Sequence, residues 1–144
     1  VQGANTIGPK ILHRLEKALE SVEMVLVTRD IPIEHKNESE ELDGLQIINK
    51  LTPLPEEYVI KKNYYALPPE ALIEVRELTE KHEQEKNYIE VVGVELSLCV
   101  LANALALQGA LPEADFYINS ELVAGNQLNE ATLSLLKKFN IEIK

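Results

Sequence analysis

Cysteine is almost absent: the 144 residues contain one, Cys99. A single thiol excludes an internal disulfide framework and any multi-cysteine metal site. Long hydrophobic runs are missing too. The most apolar stretch, residues 91–107, is broken by Gly93, Glu95, Ser97 and Asn103, and it falls short of the roughly 20 apolar residues that cross a bilayer. Positive charge is scarce, with 14 Lys and Arg against 24 Asp and Glu, a formal charge of −10. The only adjacent basic pairs are Lys61–Lys62 and Lys137–Lys138. Nucleic-acid binding leans on phosphate neutralisation, so a chain without a basic stripe is a poor candidate for it. The sequence shows no internal repeat, low-complexity linker or signal-like segment. The expectation is a soluble protein of a reducing cytoplasm, working on a small molecule with no nucleic-acid or membrane partner. What is present is ordinary globular composition, 45% apolar and 26% charged, enough for one core and read as a single domain over 1–144.

Two periodicities alternate along that domain. Residues 9–22 read as a helix, with Pro9 at the favoured first position and Ile11, Leu12, Leu15, Ala18, Leu19 and Val22 at helical spacing. Residues 24–28, Met-Val-Leu-Val-Thr, suit a strand buried on both faces. Residues 29–54 are polar and acidic, a surface excursion with a helical turn expected near 45–48. A brief strand follows at 58–60, then a helix opened by Pro68–Pro69 and ending near Lys81–His82. Residues 89–94 form the strongest strand. A helix over 98–107 is expected to close on Gly109 as a left-handed cap. A strand at 116–118, a helix at 129–139 and an edge strand at 141–143 complete the pattern. Alternation of this kind predicts an α/β fold, a three-layer αβα sandwich around a mostly parallel sheet. Ligands in such sheets sit at the carboxyl ends of the strands. That rule singles out the residues after Thr28, Ile60 and Val94.

After Val94 comes Glu95-Leu96-Ser97-Leu98-Cys99-Val100, which places Cys99 in the first turn of a helix. Unpaired N–H groups and the helix dipole there favour an anion, so a thiol becomes a usable nucleophile and the same amides can hold an oxyanion. Packing accounts for the position equally well, since free cysteine is among the most buried residue types. After Ile60 come Lys61 and Lys62, either of which could balance the charge of a thiolate or sit solvated in a loop.

Residues 92–100, Val-Gly-Val-Glu-Leu-Ser-Leu-Cys-Val, resemble the nucleophile motif of the isochorismatase-like cysteine hydrolases, roughly G-V-x-T-x-x-C-V. Residues 59–67, Val-Ile-Lys-Lys-Asn-Tyr-Tyr-Ala-Leu, resemble that family's lysine motif, V-x-K-x-x-Y-S-A-F. Aligning Tyr64-Tyr65-Ala66-Leu67 with its end selects Lys61 rather than Lys62. Residues 27–30, Val-Thr-Arg-Asp, resemble the T-x-D that closes an earlier strand. The three segments follow in the family's order. The resemblance implies an isochorismatase-like, Rossmann-like fold and a triad of aspartate, lysine and cysteine. It also implies a cis peptide between Val94 and Glu95, which would aim the backbone amides of Glu95 and Cys99 into one oxyanion hole. A homo-oligomer, dimer or tetramer, is implied as well.

The family aspartate ends the first strand in a run like I-D-x-Q-N-D-F. Val1-Gln2-Gly3 resembles the tail of such a motif, so the aspartate, with its strand, is expected just before Val1. Nicotinamidases of this family bind a metal through D-x-H-x-x-x-H. Asp30 matches the first ligand, but Pro32 stands where the next histidine belongs, and His35 cannot complete a site alone. His13 and His82 are expected on helix surfaces. No metal and no other cofactor is therefore expected. Leu96 and Leu67 replace the motif threonine and phenylalanine, and with Tyr64 they are expected to line a substrate pocket. The leading expectation is a hydrolase that cleaves a small amide or related C–N bond through a Cys99 thioester. The alternatives are isochorismatase-type vinyl-ether hydrolysis and a catalytically inactive relative serving in binding or assembly.

Overall fold

The computed structural model describes residues 1–35, 59–81 and 86–144. The helical turn expected near 45–48, the start of the strand at Tyr58 and the placement of His82 lie outside the described residues. The chain divides into two compact units. One comprises Val1–Ile11 with Ala66–Lys144 and the other Leu12–Tyr65.

Helix α1 (Ala4–Glu20) begins five residues earlier than proline placement predicts, so Pro9 lies inside it. Gly3 supplies the start, its carbonyl accepting from Thr6 and Ile7 N–H at 3.0 and 3.1 Å. Ile7, only 7% exposed, gives this early turn an apolar anchor that offsets the N–H missing at proline. Farther along α1, Leu15 and Ala18 are buried.

In the unit of residues 12–65, β1 (Val27–Asp30) pairs in parallel with β2 (Val59–Lys62), Asp30 opposite Lys62. The expected strand over 24–28 is thus displaced toward its polar end. β1 alternates half-buried and exposed positions rather than being covered on both faces, and Met24 is exposed. The register explains the shift, because Arg29 and Asp30 pair with residues that continue β2. A 3-10 turn, Ile33–His35, follows β1.

The larger unit holds α2 (Pro69–Lys81), β3 (Tyr88–Glu90), β4 (Gly93–Val94), a π-helical turn (Leu96–Val100), α3 (Leu101–Ala110), β5 (Asp115–Ile118), β6 (Val123–Ala124), α4 (Asn129–Lys138) and β7 (Glu142–Ile143). Strands β3, β5 and β7 form one parallel set with β5 central, and β4 pairs in parallel with β6. Among the described residues every strand pair is parallel, and the connections from β3 to β5 and from β5 to β7 pass through α3 and α4, the crossovers that parallel pairing requires. The core gathers Leu96, Val100, Ala104, Phe116, Ile118, Leu136 and Ile141 from turn, helices and strands. Among the described residues, no helix is long and apolar enough to cross a membrane.

Two details differ from the sequence pattern in ways that shape the site. The strand expected over 89–94 is split: β3 follows β5, whereas β4 follows β6. Gly93, at φ +120°, makes the change of partner possible, since that conformation is closed to residues with a side chain. Gly109 is not a left-handed cap. It lies inside α3, which runs on to Ala110, and Leu111 closes it at φ −126°.

Candidate active site

The site grows from the carboxyl end of β4. The peptide bond between Val94 and Glu95 is cis. Glu95 is extended (φ −95°, ψ 135°), and its carbonyl accepts from Leu98 N–H at 3.2 Å and from Val100 N–H at 3.1 Å. The second bond spans five residues, as does the bond from Leu101 N–H to the Leu96 carbonyl. This spacing makes a wide, π-helical turn, a form that recurs at functional sites. Cys99 sits in it, half-buried.

The turn is pinned from below. Leu96 and Val100 are 2% and 4% exposed, which commits alternate parts of the turn to the core. Gly125, just after β6, allows the close approach: a Cβ there would stand 3.3 Å from both the Leu96 nitrogen and its Cβ, and 2.5 Å from Asn129 Oδ1. Asn129 in turn donates to the Gly125 carbonyl at 2.8 Å. One helical turn beyond Cys99, the buried Asn103 accepts the Leu67 N–H through its side-chain oxygen at 2.8 Å.

A second chain of bonds crosses the carboxyl ends of β4 and β6. Asn126 N–H donates to Glu95 Oε1 at 3.2 Å, and Asn126 Oδ1 accepts the Gln2 N–H at 2.6 Å. The residues that open the sequence are thereby held at the same end of the unit as Glu95. None of Asn103, Gly125 and Asn126 was singled out by sequence reasoning as functional. Their roles depend on contacts between segments 29 or more residues apart, which local pattern does not carry.

The proposed pocket residues take different positions. Leu67 and Leu96 are 6% and 2% exposed and are part of the core. The buried Leu96 stands where the motif threonine would have needed a polar partner. Tyr64 is exposed, its ring set edge-on to that of Tyr65 with centroids 5.5 Å apart.

In the other unit, the paired lysines point in opposite directions, as successive strand residues do. Lys61 is exposed and Lys62 is 3% exposed. Lys62 Nζ donates to Asp30 Oδ1 at 3.0 Å and to the Tyr64 carbonyl at 2.8 Å. The structure thus buries the neighbour of the lysine that motif alignment selects. Asp30, the residue matched to a metal ligand, has its carboxylate against this ammonium, and residue 32 is proline. His35 is half-buried and His13 exposed. Among the described residues, no three His, Cys, Asp or Glu side chains converge on a common point. This donor set does not fit a metal.

No protein-family model matches the chain, and no curated protein matches it in sequence. Solved structures do match in three dimensions. A pyrazinamidase of Pyrococcus horikoshii, solved in complex with zinc, is 20% identical with a TM-score of 0.79, over 100% of this chain and 87% of its own. An isochorismatase family protein from Desulfovibrio vulgaris is 18% identical with a TM-score of 0.78, over 99% and 82%. A nicotinamidase/pyrazinamidase from Bacillus subtilis is 19% identical with a TM-score of 0.77, over 99% and 86%. Together with the parallel strand pairs and crossover helices, these likenesses show that the chain has the α/β fold of the isochorismatase-like hydrolases and nicotinamidases.

Proposed function

We propose that the protein is a cysteine hydrolase of small amides or related C–N bonds, with Cys99 as nucleophile. The observation that carries the reading is the turn itself: a π-helical turn that follows a parallel strand and holds Cys99, half-buried, at that strand's carboxyl end. The fold's solved examples include a nicotinamidase/pyrazinamidase and a pyrazinamidase, which supports an amide substrate.

In the proposed reaction the Cys99 thiolate attacks the substrate carbonyl carbon. The carbonyl oxygen takes up the negative charge and is met by the backbone N–H groups of Glu95 and Cys99. Collapse of this intermediate breaks the C–N bond, and the leaving nitrogen takes a proton. Water then attacks the thioester, releasing the carboxylic acid and restoring the thiol. The motif resemblance gives the charge-balancing role to Lys61 and the proton transfer to the aspartate of the family's triad. Among the described residues the donor set around Asp30 does not fit a metal, and the steps above are written for the chain's own groups.

The test is ammonia release from nicotinamide, pyrazinamide and short aliphatic amides by the full-length protein. Hydrolysis of at least one amide is expected, with Cys99→Ser lowering kcat by at least about a thousandfold. Intact mass of the quenched wild-type reaction should show an acyl adduct on Cys99. Unchanged turnover in Cys99→Ser would overturn the nucleophile assignment.

A further inference from the structure

The proposed reaction leaves the Glu95 carboxylate without a part, although it belongs to the residue that follows the cis bond. The Glu95 amide is one of the two assigned to the oxyanion. Bond lengths alone keep a glutamate carboxylate carbon within about 5 Å of its own amide nitrogen. This negative charge therefore stays close to the reacting carbonyl in any rotamer. It is also held: Glu95 is half-buried, and Asn126 N–H donates to its Oε1 at 3.2 Å. Asn126 is fixed by the Gln2 N–H on its side chain at 2.6 Å. The charge thus lies at the carboxyl ends of β4 and β6, where ligands of α/β sheets bind.

We infer that Glu95 selects substrates by charge, admitting small amides that carry a cation or an N–H donor beside the scissile carbonyl and rejecting those that carry a carboxylate. The inference rests on the reading above, that the carbonyl is held between the Glu95 amide and Cys99. Two unit charges about 7 Å apart, between protein-surface and bulk-water screening, change a rate by about threefold to fiftyfold. Added salt weakens the effect.

Cys99 itself reports the local potential, whether or not an amide is turned over. The probes are a cationic trimethylammonium-ethyl and an anionic sulfonato-ethyl methanethiosulfonate. Each forms a mixed disulfide with the thiolate and releases methanesulfinate. The ratio of cationic to anionic labelling rates, divided by the same ratio for β-mercaptoethanol, is expected to be about tenfold in the wild type. Glu95→Gln keeps an oxygen for the Asn126 N–H and should bring that quotient to within about twofold of unity. Glu113→Gln removes an exposed charge ahead of β5 and should leave it unchanged. An unaltered quotient in Glu95→Gln, an equal fall in Glu113→Gln, or failure of both reagents to label Cys99 would each overturn the inference. Turnover of glycinamide, propionamide and succinamate provides the second arm, with the cationic amide favoured and Glu95→Gln relieving the bias against succinamate. Amide hydrolysis with an unaltered quotient would sink the charge selection and leave the hydrolase reading standing. A quotient that collapses only in Glu95→Gln, with no amide hydrolysed, would sink the hydrolase reading, and the amide selection with it, while leaving Glu95 as the charge that sets the potential at Cys99.

Discussion

Two adjacent lysines show what a single residue's burial decides. Lys62 has its ammonium held by the Asp30 carboxylate and the Tyr64 carbonyl. Lys62→Met leaves that carbonyl without this donor, and is expected to lower stability by about 1 to 3 kcal/mol in chemical denaturation. The Asp30 share of that loss is small, because its side chain is 49% exposed. Lys61→Met, at an exposed position, should leave stability within about 0.5 kcal/mol, and the proposed role makes it cost about a hundredfold in turnover. The opposite pattern, full activity in Lys61→Met and none in a folded Lys62→Met, would move the catalytic role to Lys62. Motif spacing selected Lys61 because it counts back from Tyr64. It had no access to strand register, and a slip of one residue exchanges the two faces of a strand. The segment flanking the lysines offers too little alternation to fix that register. The turn that holds Cys99 is legible for a different reason: it lies within a few residues of the strand that positions it.

At the scale of elements, most helices and strands could be read from periodicity, and the misplacements have local causes. Proline favours the first turn, so Pro9 predicts a helix start there, yet the buried Ile7 draws the helix back to Ala4. Gly109 was read as a stop because glycine commonly ends helices. Here the backbone continues through it in a helical conformation, and a Cβ at Gly109 would meet nothing within 4 Å. Gly109→Ala is therefore expected to raise stability by about 0.4 to 1 kcal/mol, chiefly by restricting the unfolded chain. Gly125→Ala should do the opposite. Its methyl group would press on Leu96 and on the Asn129 side chain, lowering stability by about 1 to 3 kcal/mol and loosening the turn that carries Cys99. Thermal melts of the two variants, run side by side, check both signs.

For the molecule as a whole, the α/β class followed from alternation, and every strand pair of the described residues is parallel. The division into two compact units had no counterpart in composition, because no linker or shift in residue usage marks residue 11 or residue 65. The net charge of −10 gives its few cations more weight. Lys86, at 2.8 Å from Asp115 at the head of β5, is held above the ordinary lysine range by the hydrogen bond and charge of that carboxylate. A raised lysine contributes stability below its unfolded pKa and loses it as pH rises through the folded value. The melting-temperature difference between wild type and Lys86→Met should therefore be present at neutral pH and fade as pH rises through and beyond the ordinary lysine range. Gly93 carries a consequence for how the sequence can drift. At Gly125 the obstacle to a side chain belongs to neighbours, so a second change at Asn129 can partly rescue a first. At Gly93 the obstacle is the residue's own backbone at φ +120°, with no neighbour within 4 Å of a Cβ. A change in a neighbour cannot relieve that strain, so a saturation library screened for folding should be strongly enriched in glycine at position 93.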